Sequence, residues 1–166
     1  MKNVDIAYIA GLIDGEGYIG IKKSKAYKCQ DRKTPGYHAR IQIRMVDEQA
    51  IKFISETLGG WYYKEKPNCT NGRPLYCYQA SDKRAETILS IVIPFLRVKK
   101  ESANTVLCLR KLQLKRMKYK TKITGYRTAC PNGVTIQIAN TCLSDEYVAM
   151  CETLYLRCKE LNHVGI

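Results

Sequence analysis

Apolar positions along the chain change period several times, and each change marks an element. Between Val4 and Asp14 the large residues Ile6, Ile9, Leu12 and Ile13 recur at helical spacing. "YIGIKK" and "YHARIQIRM" alternate with period two and are separated by the turn-like "QDRKTPG". In "VDEQAIKFISETL" Ile51, Ile54 and Leu58 return to helical spacing, with Asp47 as N-cap and Gly59-Gly60 as the stop. Two further strands, "WYYKEK" and "PLYCYQ", are joined through "PNCTNGR", whose Asn71-Gly72 is a hairpin signal. "SDKRAETILSIVIPFL" follows as a helix with Ala85, Ile88, Leu89 and Val92 on one face, ended near Pro94. The order is α-β-β-α-β-β-α, an α+β arrangement. A long helix from about Lys99 to Lys118 and a last helix from about Asp145 to Leu161 complete the chain. Between them, "ITGYRTACPNGVTIQIANTC" is compatible with a hairpin around Asn132-Gly133 or with an irregular loop.

The first helix has two unlike sides. On a helical wheel Ala7, Ala10, Gly11 and Asp14 share one arc, with Ile6, Ile9, Leu12, Ile13 and Tyr8 opposite. The bulky side belongs to a core. The small side permits close approach of another backbone, either a second helix or the chain's own sheet. The helix closes on two acids, Asp14 and Glu16, although a helix C-terminus is already partially negative. Glu16 stands just past the end, between glycines in "DGEG". It is either a solvated loop acid or, with a backbone carbonyl, a ligand for a hard divalent cation.

Charge sharpens that question. Lys and Arg number 28 against 15 Asp and Glu, a net charge of +13, and the pI is near 9.4. This favours a polyanionic partner, nucleic acid before anionic membrane. At 166 residues and 45% hydrophobic content the chain has one sizeable core. It carries no apolar run of the length that spans a bilayer, and "MKNVDIAYIAG" is a poor secretory or transit signal, so an intracellular protein is expected. Eight cysteines occur without a Cys-x-x-Cys pair and with only two histidines, which argues against zinc. Cys77, Cys108, Cys151 and Cys158 read as small buried hydrophobes, and a Cys130–Cys142 disulfide stays open.

"IAGLIDGEG", followed at once by a strand, closely resembles the signature of the LAGLIDADG homing endonucleases. The element order resembles that family too, and "PFLRVKKESAN" resembles the stretch that supplies its active-site lysine. The resemblance implies an αββαββα core with a saddle-shaped antiparallel sheet over residues 1–120, with residues 121–166 as a C-terminal extension of helix and loop in the same domain. It implies that Glu16 and the carbonyl of Gly15 hold Mg²⁺ or a similar ion, that Lys99 stands beside the scissile phosphate, and that Asp47 orients solvent. Asp14 aligns with an acid that supports the helix end. Some members carry Arg four residues after the position of Asp47, where this chain has Ile51, with Lys52 and Lys100 as substitutes. A single motif implies a homodimer joined along Ala7, Ala10, Gly11 and Asp14, hence a pseudopalindromic duplex target. Cleavage across the minor groove of an allele lacking the mobile element is implied as well. Neither a membrane nor a small-molecule substrate is.

The strands argue separately for DNA. With Ile19, Ile21, Ala39, Ile41, Ile43 and Met45 turned inward, the other face presents Tyr18, Lys22, Ser24, His38, Arg40, Gln42 and Arg44, joined by Lys64, Lys66, Tyr76 and Tyr78. That face is basic and free of acids, as suits a ribbon in the major groove, where Arg reads guanine and Gln reads adenine. Arg40, Gln42 and Arg44 are the readers expected. Arg32 and Lys33 in the turn reach the outer end of each half-site. In "RKLQLKRMKYKTK", Lys115 and Arg116 are expected at phosphates. Rival readings are an RNA splicing maturase or non-cleaving regulator of the same family, and an unrelated basic interaction domain.

Overall fold

The structure is a computed structural model that describes residues 2–25, 34–66, 72–129 and 135–163. In chain order the elements are α1 (Asn3–Glu16), β1 (Gly17–Ser24), β2 (Gly36–Met45), α2 (Glu48–Leu58), β3 (Tyr62–Glu65), β4 (Leu75–Ser81), α3 (Asp82–Val92), α4 (Lys100–Leu114), a 3₁₀ turn (Arg116–Tyr119), β5 (Lys120–Ala129), β6 (Ile136–Leu143) and α5 (Asp145–His163). The α+β class and the αββαββα order are as expected from the sequence. The segment before α5 is a hairpin rather than an irregular loop. Arg32, Lys33, Asn71, the Asn132-Gly133 turn and Cys130 lie outside the described residues.

An antiparallel sheet of order β1-β2-β4-β3 carries the helices on one face. Alternation explains why: Tyr37, Ala39, Ile41 and Ile43 of β2 are buried beneath Ile9, Ile13, Ile88 and Leu89 of the helices. Tyr147, Cys151 and Cys158 bring α5 into the same cluster, and α5 lies along β1 at the sheet edge. Three of the four interior cysteines are buried as expected. Cys108 is exposed, because the buried face of α4 runs through Ser102, Ala103, Thr105, Val106 and Leu109.

The helix ends follow local chemistry. The Asp47 carboxylate accepts the N–H groups of Gln49 (2.8 Å) and Ala50 (3.3 Å), capping α2, and α2 ends on Gly59 at φ +73°. Asp82 opens α3 at φ +49°. Its carboxylate offsets that backbone position by accepting the Ala39 N–H (3.2 Å) and meeting His38 Nδ1 (3.1 Å).

Register overturns part of the expected outer face. Met45 pairs with Tyr76 and Ile43 with Tyr78, so both tyrosines point to the helices. Tyr78 is fully buried, and its hydroxyl donates to the Gly59 carbonyl (2.9 Å). Lys64 opposes Tyr76 and lies on the helix side too, its ammonium 5.9 Å from the Tyr76 ring centre. The alternating run "LYCYQ" reads equally well in either parity, and only pairing with β2 selects one. The outward residues of β4 are Leu75, Cys77 and Gln79. Nor is that face free of acids: Glu65 of β3 lies on it and pairs with Arg44 (3.0 Å). Lys66, exposed, follows β3.

The wheel of α1 is rotated from its expected setting as well. Ala10 is fully buried with Ile6, Ile9 and Ile13, while Val4, Ala7, Tyr8, Gly11 and Gly15 are exposed. Neighbouring residues on a helix diverge by about 100°, so Ala10 and Gly11 do not share a narrow arc. Ala10 is therefore core, not seam.

The end of α1 is tied to the segment that leads into α4. Asp14 accepts the backbone N–H groups of Arg97 (2.7 Å), Val98 (3.2 Å) and Lys99 (2.9 Å). Its carboxylate is thus committed within its own chain. Burial raises its pKa, but the three N–H donors and the Lys99 charge outweigh that and hold it below the ordinary 3.8. A depressed carboxylate contributes stability that is full above its ordinary pKa and lost as pH falls through the folded value. Asp14→Asn, which turns a donor toward these N–H groups, is expected to cost about 1–3 kcal/mol in urea unfolding at neutral pH. An unchanged midpoint would show that the contact does not hold the two segments together. For α2, Asp47→Ala should lose about 1 kcal/mol while Asp47→Ser keeps nearly all of it; equal loss in both variants would remove the capping role.

Candidate active site

The last turn of α1 leaves backbone carbonyls unpaired and a partial negative charge. Lys99 meets both. With its backbone fixed by Asp14, its ammonium donates to the carbonyls of Ile13 (3.0 Å) and Asp14 (2.8 Å). Burial lowers the Lys99 pKa below the usual lysine range, while Asp14 and Glu16 pull it back up. An ammonium has three donors, so one remains free to face outward.

Glu16 is the last residue of α1, not a loop residue beyond it. It is exposed, and among the described residues its carboxylate takes part in no hydrogen bond or ion pair. Two acids two residues apart therefore have opposite fates: Asp14 is tied down three times and Glu16 is uncommitted. Gly15 has open space where a side chain would stand, so the helix end is unobstructed. Glu16, Gly15 and Lys99 open into a cleft of about 940 Å³, whose wall continues along the sheet through Tyr18, Lys22, Arg40, Gln42 and Arg44.

The outward row of β2 is tied sideways to its neighbours. Arg40 donates from Nη2 to Gln79 Oε1 (2.7 Å), Gln42 from Nε2 to Cys77 Sγ (3.1 Å), and Arg44 from Nε to Glu65. Among the described residues Arg40 Nε is buried without a partner. Tyr18 lies folded over Gly20, where a Cβ would meet its hydroxyl at 2.1 Å; burial pushes that phenol up. Ser24 donates to the Gly36 carbonyl (3.3 Å) at the far end of the β1–β2 ribbon.

Among the expected site residues the structure thus brings Gly15, Glu16, Tyr18, Lys22, Arg40, Gln42, Arg44 and Lys99 to one cleft. His38 and Ser24 sit farther along the same face. Asp47 does not line the cleft, nor do Lys52 and Lys100, and Ile51 is wholly buried. Lys115 and Arg116 are exposed at the opposite end of α4. Sequence reasoning missed Gln79, hidden by the parity of β4. It also missed Tyr155, Lys159 and His163 of α5, which line the same cleft. Their signal was present: a polar stripe at intervals of four on the last helix.

Among the described residues no helix is long and apolar enough to cross a membrane, and no three His, Cys, Asp or Glu side chains cluster to hold a metal ion.

The same architecture recurs in solved proteins. The homing endonuclease I-CvuI, in complex with the I-CreI target in the presence of Mg, superposes with a TM-score of 0.64 at 18% identity, over 96% of this chain and 82% of its own. The archaeal intron-encoded homing endonuclease I-Vdi141I, complexed with DNA, gives 0.67 at 16% identity, over 99% and 94%. The homing endonuclease I-TnaI gives 0.56 at 13% identity, over 95% of each chain. At such identities the likeness speaks for fold. No curated protein sequence matches the chain. The family model of the LAGLIDADG endonucleases matches residues 9–112, well over half of the chain, with the helix end, sheet and Lys99 segment inside it. This chain belongs to the LAGLIDADG endonuclease family.

Proposed function

We propose that the protein is a site-specific homing endonuclease that hydrolyses both strands of a long pseudopalindromic DNA duplex as a homodimer, and so initiates mobility of an intron or intein. The observation that carries this reading is the pairing of an uncommitted Glu16 carboxylate with Lys99, latched to the same helix end and opening on a basic sheet face.

One subunit offers a carboxylate and a helix-end carbonyl, both hard oxygen donors of the kind Mg²⁺ takes. They fit the chemistry of the ion but are too few to hold it alone, so a complete site would need further oxygen donors. Glu16 and the Gly15 carbonyl would hold it. Bound there, Mg²⁺ supplies positive charge against the phosphate and acidifies water. The residues of the chain do the rest. Lys99 places its third N–H toward the scissile phosphate, where it stabilises developing charge. Arg40, Gln42 and Arg44 hold their polar ends toward base edges, with Gln79 and Glu65 fixing their direction. Lys22, Lys115 and Arg116 face phosphates.

For the dimer, the exposed stripe of α1 is Val4, Ala7, Tyr8, Gly11 and Gly15. Val4 is 77% and Tyr8 52% exposed in the single subunit. Nothing approaches the Cβ position of Gly11 within 4 Å, which leaves room for a second helix. Two such helices bring their Glu16 carboxylates together, and the repulsion between them makes a cation necessary.

The decisive experiment is selection of cleaved sites from a randomised duplex library with Mg²⁺ present; symmetric sites support the reading. No cleavage, together with splicing of an intron RNA, would replace it with the maturase role. Glu16→Gln should keep specific binding and lose cutting by at least about a hundredfold; full cutting would remove Glu16 from the site. Gly11→Leu should halve the mass seen in sedimentation, and an unchanged dimer would place the interface elsewhere.

A further inference from the structure

We propose that the β5–β6 hairpin is an arm that grips the phosphate backbone of the duplex outside the stretch faced by the four-stranded sheet. This rests on the DNA-binding reading above.

The charge distribution is the first support. All 15 acidic residues of the chain lie outside residues 102–144, while Lys115, Arg116, Lys118, Lys120 and Lys122 fall in the run that leads into the arm. An ordinary solvated surface mixes signs. A stretch of chain this long with cations and no acids suits a polyanion, and duplex DNA carries a phosphate every 1.7 Å of its axis.

The second support is how the arm is built. Its two strands form a sheet separate from the four-stranded one. It is anchored at its base, where Ser144 N–H donates to the Tyr119 carbonyl (2.9 Å) and Tyr119 packs on Tyr147 at 5.4 Å between ring centres. No described side chain beyond that base belongs to the buried core. A lone two-stranded hairpin is marginal in water, so a partner along it would add order. It also lies beyond the segment matched by the family model.

Place gives the third. Helix α4 starts at the cleft, next to Lys99, and near its other end Gln113 donates to the Tyr37 carbonyl (2.6 Å). Tyr37 follows Gly36, the residue paired with Ser24 at the distal end of the β1–β2 ribbon. Fifteen residues of helix span about 22 Å. A duplex running from the cleft along the ribbon therefore reaches the base of the arm about 6–7 base pairs from the cut, at 3.4 Å per pair. Contacts made by the arm lie at that distance or farther out.

The test uses the full-length protein and the duplex recovered from the cleavage selection, in two forms. One is trimmed to base pairs within about 22 Å of the centre on each side, the other extended by one helical turn at both ends. Two variants are compared with the unaltered chain: Lys118→Gln with Lys120→Gln, both exposed positions, and replacement of residues 122–141 by Asn-Gly, which keeps the base of the hairpin. The expected result is loss of about tenfold or more in affinity for the extended duplex, a shallower salt dependence by about 0.9 per contact removed, and near-equal binding of the trimmed duplex. Equal binding of the extended duplex by variants and unaltered chain would overturn the arm alone. So would a loss of equal size on both duplexes, or a loss confined to intron RNA. Failure of the unaltered chain to bind either duplex would overturn the DNA reading itself, and the arm with it.

Discussion

Asp14 and Lys99 solve an electrostatic problem at the end of α1 on which the site depends. The helix ends in partial negative charge and carries two carboxylates there, an arrangement that repels itself without compensation. Asp14 spends its charge on three backbone N–H groups of residues 97–99. That contact delivers Lys99 to the carbonyls of Ile13 and Asp14, and the helix end is neutralised from within. Glu16 is then the one acid left over. A carboxylate at a helix end, beside a lysine and, among the described residues, without a hydrogen-bond or ion-pair partner, is the oxygen donor on which the proposed cation site rests.

Around this latch the sheet divides the molecule by polarity. Its helix side is a continuous apolar cluster into which α5 is drawn by Tyr147, Cys151 and Cys158. Its other side carries Lys22 together with Arg40, Gln42 and Arg44, the last three held by lateral contacts to β3 and β4. Long side chains fixed before a ligand arrives lose less freedom when it does. A basic outer face and a carboxylate-bearing helix end thus meet in one cleft, and a phosphate with its cation is compatible with both.

Much of this was legible in the residues. The order of α1 to α3 followed from changes of period, the buried residues of β2 from strict alternation, and the caps of α2 from Asp47 and Gly59. "IAGLIDGEG" and "PFLRVKKESAN", more than seventy residues apart in the chain, both pointed to one site. The errors share a cause. "LYCYQ" offers aromatic residues at one parity and small or polar ones at the other, and either can face a core, so Tyr76 and Tyr78 were misplaced. Ala10 was misplaced because an alanine fits a core as well as a seam. Cys108 was misplaced because cysteine is apolar enough for either side.

What the sequence alone determined is therefore local and periodic: which segments are helix or strand, where they stop, and which residue types end α1. Hydrogen-bond caps, steric limits on φ and the two hydrophobic periods act within a few residues, so they can be read one segment at a time. The tertiary structure decided which face of β4 points outward, which side of α1 stays free, and that Asp14 is consumed while Glu16 is not. Those outcomes depend on strand register and on contacts between residues 83 to 85 positions apart in the chain. No local pattern encodes them, because the partner that settles each one is brought near only when the core closes.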